Sequence, residues 1–518
     1  MKYTGKISVL TLLLLLIMSA CSDDFLDLEP LDEEVTSNFY QTEEQAFQAL
    51  VAVYDVLTHQ TNPSGGWAPF ITIADVLSDD AYAGGSDAND GYDFDRLNNH
   101  NIPTPSPPVY SIWSKNYIGV YRANLFLEKI EDIDDASEDF KTRTIAEAKF
   151  LRAYFYLEQV RFFENIPLLV NTVTAPSEYN QEQNAPKEVY DQIALDLVEA
   201  MEDLPESVPE AEAGRVTKWA AKALLARTYL FYDGVYDGNL SAGDTTVDRV
   251  FVLDQLEELI ATSGHDLLDD YGDNFSLVGE HGVESVFEIS YGDTPPWWDW
   301  DYPEGGNGNL ASQMQGPRVA GSDNWDRGWS FAPVNHKLAD FMGDDPRYEH
   351  TILTQEELDG ILTTGYQHTG YFSKKYSSDA EHQGSGGQFE LNRTTNHRVI
   401  RFSDVLLMAA ELESPHAQEY LDRVRERVGL DPVPATMENI YKERRLELSL
   451  EGIRYFDVLR RGIDHANQEL THSVRGPNYE GDQQIFDVSF NPATRGFLPI
   501  PQTEIDLSAG MFEQNDGY

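Results

Sequence analysis

The chain has 518 residues, with 89 acidic against 37 basic side chains and a formal net charge of −52. Phosphate backbones repel a chain this acidic, because binding them needs Lys and Arg to displace their counterions, so nucleic acid is a poor candidate partner. The composition is globular, with 41 % hydrophobic residues, and the single cysteine excludes intramolecular disulfides and Cys-based metal clusters.

Residues 1–20 have the pattern of a signal peptide, in which two lysines precede an apolar run of about ten residues. This run is too short for a bilayer, which needs about 20 residues. The small pair Ser19-Ala20 directly before Cys21 resembles a bacterial lipobox, in which the cysteine becomes the acylated first residue. We therefore expect a lipid anchor at Cys21, a tether over 21–36 and no transmembrane helix in the mature chain.

Amphipathic periodicity predicts a series of helices in the region 37–264. The first begins at the capping box Thr42-Glu43-Glu44-Gln45. Alanines at 220, 221, 223 and 226 permit close helix approach of the tetratricopeptide (TPR) kind, although no strict 34-residue period is present. Further helices are expected at about 111–131, 142–164, 186–204, 217–236 and 248–262.

The pattern changes between 265 and 398, where glycines and prolines interrupt short polar and aromatic stretches. This predicts a loop-rich region with short strands, such as 285–290. Helical periodicity returns in the closing region 399–518, at about 400–412, 415–428 and 437–461. The expected fold is therefore mainly α, forming one compact unit over 37–518.

Charged residues between 443 and 457 alternate with large apolar residues on the predicted helix 437–461. Exposed pairs three and four apart would each contribute only a few tenths of a kcal/mol. So many arginines between leucines and aromatics favour a buried ionic network with a structural role. The residues concerned are Glu443, Arg444, Arg445, Glu447, Glu451, Arg454 and Asp457.

Eight stretches, in order along the chain, resemble the SusD/RagB family, the starch-binding type of outer-membrane lipoprotein. The most specific is KERRLELSLEGIRYFDVLRRG at 442–462. The others are 21–30, 147–156 running into 165–168, 217–229, 345–347, 399–411, 498–505 and 514–518.

The resemblance implies a SusD-like fold, in which TPR-like helical hairpins support a loop-rich ligand-binding region. It implies a surface-exposed, lipid-anchored protein of the outer membrane that is not an enzyme. Such a protein would capture an oligosaccharide or polysaccharide and pass it to a SusC-like TonB-dependent transporter. The strongly negative charge favours a neutral glycan over a sulfated or uronic one.

Sugars bind aromatic side chains because a pyranose stacks on the ring while nearby polar groups bind its hydroxyls. Loop aromatics are therefore the candidates. In the resembling family a Gly-Trp-Ser stretch supplies a stacking tryptophan, which Trp329 matches here, and the family commonly places an aromatic and an asparagine in the loop after Ser78. The candidate glycan-binding residues are Trp329, Trp298, Trp300, Trp297, Trp325, Tyr82, Asn89 and Trp67. Trp113 and Trp219 lie on helical faces and are expected in the core.

Acidic residues alternate with other residues in the loop after Ser78 and give a weak calcium-like pattern. The residues are Asp87, Asp93 and Asp95, but the spacing does not match the EF-hand and lacks its final glutamate. No cofactor is expected otherwise, since the sequence has no P-loop, no H-E-x-x-H and no G-x-S-x-G.

Two other functions compete with glycan binding. A TPR-type scaffold would bind peptide or protein and no sugar. A glycoside hydrolase would need two carboxylates about 5 to 9.5 Å apart across a cleft. Carboxylate pairs such as Asp299 and Asp301 are expected by chance in so acidic a chain, so they do not indicate a hydrolase.

Overall fold

A computed structural model describes residues 39–61, 66–175, 179–295, 297, 306–362, 365–476 and 484–518. The predicted signal peptide, Cys21 and the tether lie outside the described residues, as do Trp298 and Trp300. Within the part of the chain that the structure describes, no helix is both long enough and apolar enough to cross a bilayer.

The described residues are mainly α-helical, as predicted. The helices span Glu43–Asp55, Phe70–Leu77, Tyr92–Asn98, Pro107–Lys129, Glu138–Phe163, Pro186–Asp203, Lys218–Tyr236, Arg249–Thr262, Leu310–Gln315, His336–Met342, Tyr348–Thr351, Phe402–Glu411, Ala417–Arg427, Met437–Leu448, Arg454–Leu459, Ile463–Leu470 and Gln502–Leu507.

Short strands pair in twos, all antiparallel. The pairs are Leu240–Ala242 with Thr245–Val247, Ser285–Ile289 with His397–Arg401, Val319–Ala320 with Ile361–Leu362, Ile352–Thr354 with Tyr371–Ser373, and His472–Arg475 with Gln484–Val488.

The N-terminal helices confirm the periodicity predictions to within a few residues. Consecutive helices from Pro107–Lys129 to Arg249–Thr262 pack against one another as hairpins. Three of them start at side-chain caps, as where the Thr217 hydroxyl accepts a hydrogen bond from the N–H of Ala220, and the other two, Pro107–Lys129 and Pro186–Asp203, start with proline. At the predicted capping box, Thr42 accepts from the N–H of Gln45, whereas the Gln45 side chain accepts from the N–H of Gln41 instead of Thr42.

The central helix of the core is Glu138–Phe163, which is buried along most of its length. It packs between Pro107–Lys129 and Pro186–Asp203. Its Phe150 and Tyr154 meet Phe287 of the strand Ser285–Ile289 edge to face, with ring centroids 5.0 and 5.4 Å apart. One apolar core therefore joins the helical hairpins to the loop-rich region, and Trp113 and Trp219 are both buried in it, as predicted.

The prediction of a single helix at 437–461 is wrong, because one helix ends at Leu448 and the next begins at Arg454. Leu450 and Gly452 both have positive φ angles, of 59° and 73°. The N–H of Gly452 donates to Asp75 Oδ1 at 3.0 Å, and a Cβ at this glycine would lie 2.8 Å from the Phe70 ring. At Gly452 the chain thus passes so close to the helix Phe70–Leu77 that the turn needs a residue without a side chain.

The predicted ionic network is present and buried, but its partners are distant in sequence, not three and four residues apart. Glu447 is fully buried, with Arg401 donating to its Oε1 at 2.7 Å and Arg347 to its Oε2 at 3.1 Å. Arg427 also donates to Glu447, and Arg401 bonds Glu451 as well. Burial of several charges is tolerated here because each one has opposite charges and hydrogen bonds around it.

A second part of this network holds the segment 79–84. Arg445 donates to Asp80 at 2.7 Å and Arg454 donates to Asp79 at 2.8 Å. The segment then runs antiparallel to 331–335: Asn335 donates to the carbonyl of Asp80 at 2.8 Å, and the N–H groups of 82 and 84 bond the carbonyls of 333 and 331. The ionic network thereby fixes the backbone next to Trp329.

Candidate functional site

The Gly-Trp-Ser stretch is held by its backbone against the segment 313–317. The N–H groups of Gly328, Trp329 and Ser330 donate to the carbonyls of residues 317, 313 and 316 at 2.7 to 2.9 Å. A Cβ on Gly328 would lie 2.2 Å from the backbone of Gly316, so only glycine permits this approach. The contact sets the position of the half-buried Trp329 ring.

Trp67 lies on a loop that is fixed in a similar way. A Cβ on Gly66 would lie 2.3 Å from the carbonyl oxygen of Pro107, and Ser111 donates to the carbonyl of Gly66 at 2.6 Å. The next residue, Ala68, donates to the carbonyl of Gln60 at 2.8 Å. The start of the helix Pro107–Lys129 therefore holds Trp67 in place.

Trp67 and Trp329 stack on each other and form the central feature of the site. Their ring centroids are 4.9 Å apart with an interplanar angle of 24°, and both rings are half-buried. Stacking fixes each ring against the other, so neither has to be ordered when a ligand binds. We call these two residues the tryptophan pair.

Buried phenylalanines support the tryptophan pair from below. Phe331 meets Trp329 edge to face at 6.0 Å, and Phe94 stacks on Phe331 at 5.9 Å. Gly91 contacts Phe331, which brings the loop that carries Asn89 to this side of the molecule. Asn89 is exposed there, while the salt bridge from Arg318 to Asp90, at 2.9 Å, ties the loop to the segment before Trp329.

The other described tryptophan candidates form a second group around the segment 379–387. Trp325 is half-buried and pairs with Asp379 in an isolated antiparallel bridge. Trp297 is 42 % exposed, donates to the carbonyl of Asp293 and lies across Gly386 and the glycine after it. The structure therefore gathers the candidates into two groups.

Tyr82 does not belong to either group, which corrects its assignment as a ligand-stacking residue. Its side chain is fully buried, its hydroxyl donates to the carbonyl of Gln367 at 2.6 Å, and its ring packs against Phe486. Because the ring presents no face to solvent, its role is packing. The sequence was misleading here, because a tyrosine two residues after Asp79-Asp80 is as consistent with a buried turn as with a surface loop.

The carboxylates of the proposed calcium pattern are engaged separately. Asp87 is exposed and accepts the N–H of Asn89 at 2.8 Å, which lowers the pKa of that carboxyl, and Asp95 accepts from the Asn99 side chain at 3.0 Å. Burial raises the pKa of Asp93. Asp87 and Asp95 thus each bond a separate asparagine, and the calcium pattern stays a weak prediction.

Another acidic group lies in the segment 379–387. Asp379, Glu381 and His382 offer ligand atoms that all lie within 4.8 Å of one another. The ring Nδ1 and the backbone N–H of His382 are 2.8 and 3.0 Å from Asp379 Oδ1. A hydrogen-bonded His–Asp turn therefore explains the grouping, and we assign no metal to it.

The tryptophan pair has the chemical character expected of a glycan-binding surface. Its apolar faces suit the C–H face of a sugar ring, and Asn89 and the exposed Arg327 provide polar groups in the neighbouring segments. Gln313, which the sequence analysis missed, fixes the segment from behind by donating to the carbonyl of Arg327 at 2.7 Å and by accepting from Arg393.

Two family models match the chain. The model described as "SusD family" matches residues 298–518, and the model described as "Starch-binding associating with outer membrane" matches residues 24–230. A SusD-like protein of Formosa agariphila is 25 % identical over 559 aligned positions, which cover 99 % of this chain and 100 % of that protein.

Solved structures of similar proteins share the fold. A "Laminarin binding SusD-like protein" is 32 % identical with a TM-score of 0.80, covering 92 % of this chain and 100 % of that one. The surface glycan-binding protein A of Bacteroides thetaiotaomicron, in complex with laminarihexaose, is 28 % identical with a TM-score of 0.79, covering 92 % and 99 %. These similar proteins bind glycans and are not enzymes, in agreement with the prediction of a non-enzymatic protein.

The matches extend over nearly the whole chain and agree with the mainly helical architecture described above. The family predicted from the eight sequence stretches is confirmed: the chain belongs to the SusD family of surface glycan-binding proteins.

Proposed function

We propose that this protein binds a neutral β-glucan of the laminarin type on the tryptophan pair. The observation that carries the proposal is the stacked, half-buried arrangement of Trp67 and Trp329 on a buried phenylalanine support. The two solved structures named above are those of a laminarin-binding protein and of a complex with laminarihexaose, which supports the choice of glycan.

The electrostatics of the chain also favour an uncharged ligand. The net charge is −52, and Arg318 already bonds Asp90, whereas Arg327, two residues before Trp329, is exposed. The Arg318 side chain is only 10 % exposed, and this burial lowers its pKa despite the Asp90 partner. A sulfated or uronic glycan would meet net repulsion from the chain, which the single guanidinium of Arg327 would offset only locally.

Replacing Trp329 with Ala should weaken laminarihexaose binding about five-fold, because a stacked ring contributes about 1 kcal/mol beyond its buried area. Trp67→Ala should have a similar effect, and the double variant should bind laminarihexaose too weakly for calorimetric titration. Calorimetric titration and laminarin affinity gels measure the change, and an assay for new reducing ends tests for hydrolysis.

The matched control is Phe47→Ala, which removes an exposed ring from the helix Glu43–Asp55 and should leave binding unchanged. Trp297→Ala tests the second group of candidates in the same assays. Wild-type affinity in the double Trp variant would rule out the tryptophan pair, and release of reducing ends would rule out a purely binding role.

We further propose that the protein is held at the outer membrane through an acyl chain on Cys21. The description of the matching family model as associating with the outer membrane supports this location. Cys21→Ala should give a protein that folds and binds glycan but is released from membranes, which cell fractionation measures. Cys21→Ser, which also cannot accept the lipid, should behave alike, and retention of both variants would contradict the anchor.

We also propose that the bound glycan is passed to a SusC-like TonB-dependent transporter, as the family resemblance implies. Isolation of the tagged protein from detergent-solubilised outer membranes should then recover such a transporter. Recovery of the protein alone, from cells in which the transporter is demonstrably produced, would contradict a stable complex.

A further inference from the structure

A second groove lies on the helical side of the molecule and shares no lining residue with the tryptophan pair. Its volume is about 450 Å³, within the range of sites for small molecules. We call it the tyrosine groove. Its lining includes Trp113, Tyr117, Tyr121, Tyr179, Glu504 and Phe512.

The floor of the tyrosine groove is built by one stripe of the helix Pro107–Lys129. Trp113, Tyr117 and Tyr121 are four residues apart, so their rings follow one another along a single helix face at intervals of about 6 Å. Trp113 is buried, Tyr117 is half-buried and Tyr121 is 52 % exposed. The stripe therefore rises from the core to the surface and presents aromatic rings along an open channel.

The opposite wall is fixed in place by hydrogen bonds. Tyr117 donates to the carbonyl of Pro167 at 2.8 Å, and Asn124 donates to that of Leu169 at 2.8 Å. The N–H of Leu169 in turn donates to the Tyr156 hydroxyl at 2.6 Å. A wall that is already ordered does not have to be ordered when a ligand binds.

Polar side chains line the groove beside the rings. Asn171, Gln181 and Glu504 contribute amide and carboxylate groups, and Tyr179 on the same wall is 64 % exposed. Glu504 is half-buried in this wall, and this burial raises the pKa of its carboxyl. None of the described lining residues is Lys or Arg.

These features select the ligand by charge and shape. An anionic ligand would meet Glu504 with no Lys or Arg among the described lining residues, and a purely apolar one would cover the carboxylate of Glu504 without giving it a hydrogen bond. A neutral sugar chain avoids both penalties, because its ring faces stack on tyrosines while its hydroxyls bond amides and carboxylates.

We propose that the tyrosine groove is an auxiliary site for a neutral oligosaccharide. This inference rests on the proposed function, since it assigns a second site to the same class of ligand. Two sites on one protein strengthen the binding of a long polymer more than that of a short oligomer, through effective concentration.

The test compares variants in laminarin affinity gels and in laminarihexaose titrations. Tyr121→Ala with Tyr179→Ala removes the two exposed rings, and Tyr121→Phe with Tyr179→Phe keeps them as the matched control. We expect the alanine variant to lose about five-fold or more in laminarin retardation while hexaose binding at the tryptophan pair stays intact. The phenylalanine variant should remain close to wild type.

A variant lacking the tryptophan pair locates the second site directly. With Trp67→Ala and Trp329→Ala, millimolar laminarihexaose should still protect the amides of 117–124 and 167–175 from hydrogen exchange. Adding the two tyrosine-to-alanine changes should abolish that protection.

Three outcomes would contradict the inference. If the tyrosine-to-alanine variant binds laminarin as the wild type does, and the groove shows no protection from exchange, this inference alone is overturned. Failure of the wild-type protein to bind laminarin or laminarihexaose at all would overturn both this inference and the proposed glucan ligand. Protection that persists in the alanine variant would also count against the groove as the site.

Discussion

Replacing Glu447 with Gln should lower the free energy of unfolding by about 3–5 kcal/mol, because it removes a buried charge from between three guanidinium groups. Glu447 is fully buried and accepts from Arg347, Arg401 and Arg427. A glutamine of the same shape keeps the volume but leaves excess positive charge where water cannot reach it. Urea unfolding followed by tryptophan fluorescence measures the loss.

The control is Glu413→Gln, which breaks the ion pair with Arg249. Both side chains of that pair are more than half exposed, at 66 % and 52 %, so the expected change is below about 1 kcal/mol. If the Glu447→Gln protein does not fold while the Glu413→Gln protein folds normally, the loss of stability agrees with the prediction and exceeds the expected size. Equal stability of the two variants would show that the buried network contributes nothing.

Acidification should unfold the protein as the pH falls below about 4. The guanidinium groups around Asp79 and Glu447 outweigh burial and hold the pKa of each carboxyl well below its usual range, and the pKa of Asp404 is lowered by Arg444 and Arg227. The unfolded chain therefore binds more protons than the folded one below the ordinary carboxyl pKa of about 4. The stability from these groups is complete above that pH and is lost progressively beneath it.

Asp75 should act in the opposite sense at higher pH. Burial raises the pKa of this carboxyl well above its usual value, so its contribution is present when it is protonated and is lost as the pH rises through the folded pKa. Asp75→Asn should therefore flatten the neutral side of the stability profile without changing the acid side. Thermal unfolding midpoints measured between pH 3 and 8 test the acid and the neutral side of the profile. A native near-UV circular dichroism spectrum at pH 2 would contradict the predicted acid unfolding.

The helical part of the fold was predictable because its determinants are local. Apolar spacing and caps such as Thr42, Thr217 and Asp248 mark the helix starts without reference to the rest of the chain. The break at Gly452 was not predictable, since it depends on the approach of Phe70, and the ionic partners of Glu447 were not predictable for the same reason.

The site was predictable in part. Trp329 could be proposed because it lies in the contiguous stretch Gly328-Trp329-Ser330, which matches a motif of the family. Its stacking with Trp67, about half the chain length away, depends on the approach of Gly66 to Pro107 and could not be derived from spacing. The burial of Tyr82 likewise comes from the distant Phe486. Trp298 and Trp300, outside the described residues, stay predictions.

The bonds from Arg445 and Arg454 to Asp79 and Asp80 join positions 365 to 375 residues apart. Contacts of such long range form late, because the chain between them must first be brought together. The segment beside Trp329 therefore acquires its anchoring cations only when the last fifth of the polypeptide has joined the fold. A chain truncated before Arg445 should retain many helical hairpins yet lack a formed tryptophan pair, so the proposed capture of a glycan at Trp67 should depend on an intact C-terminus.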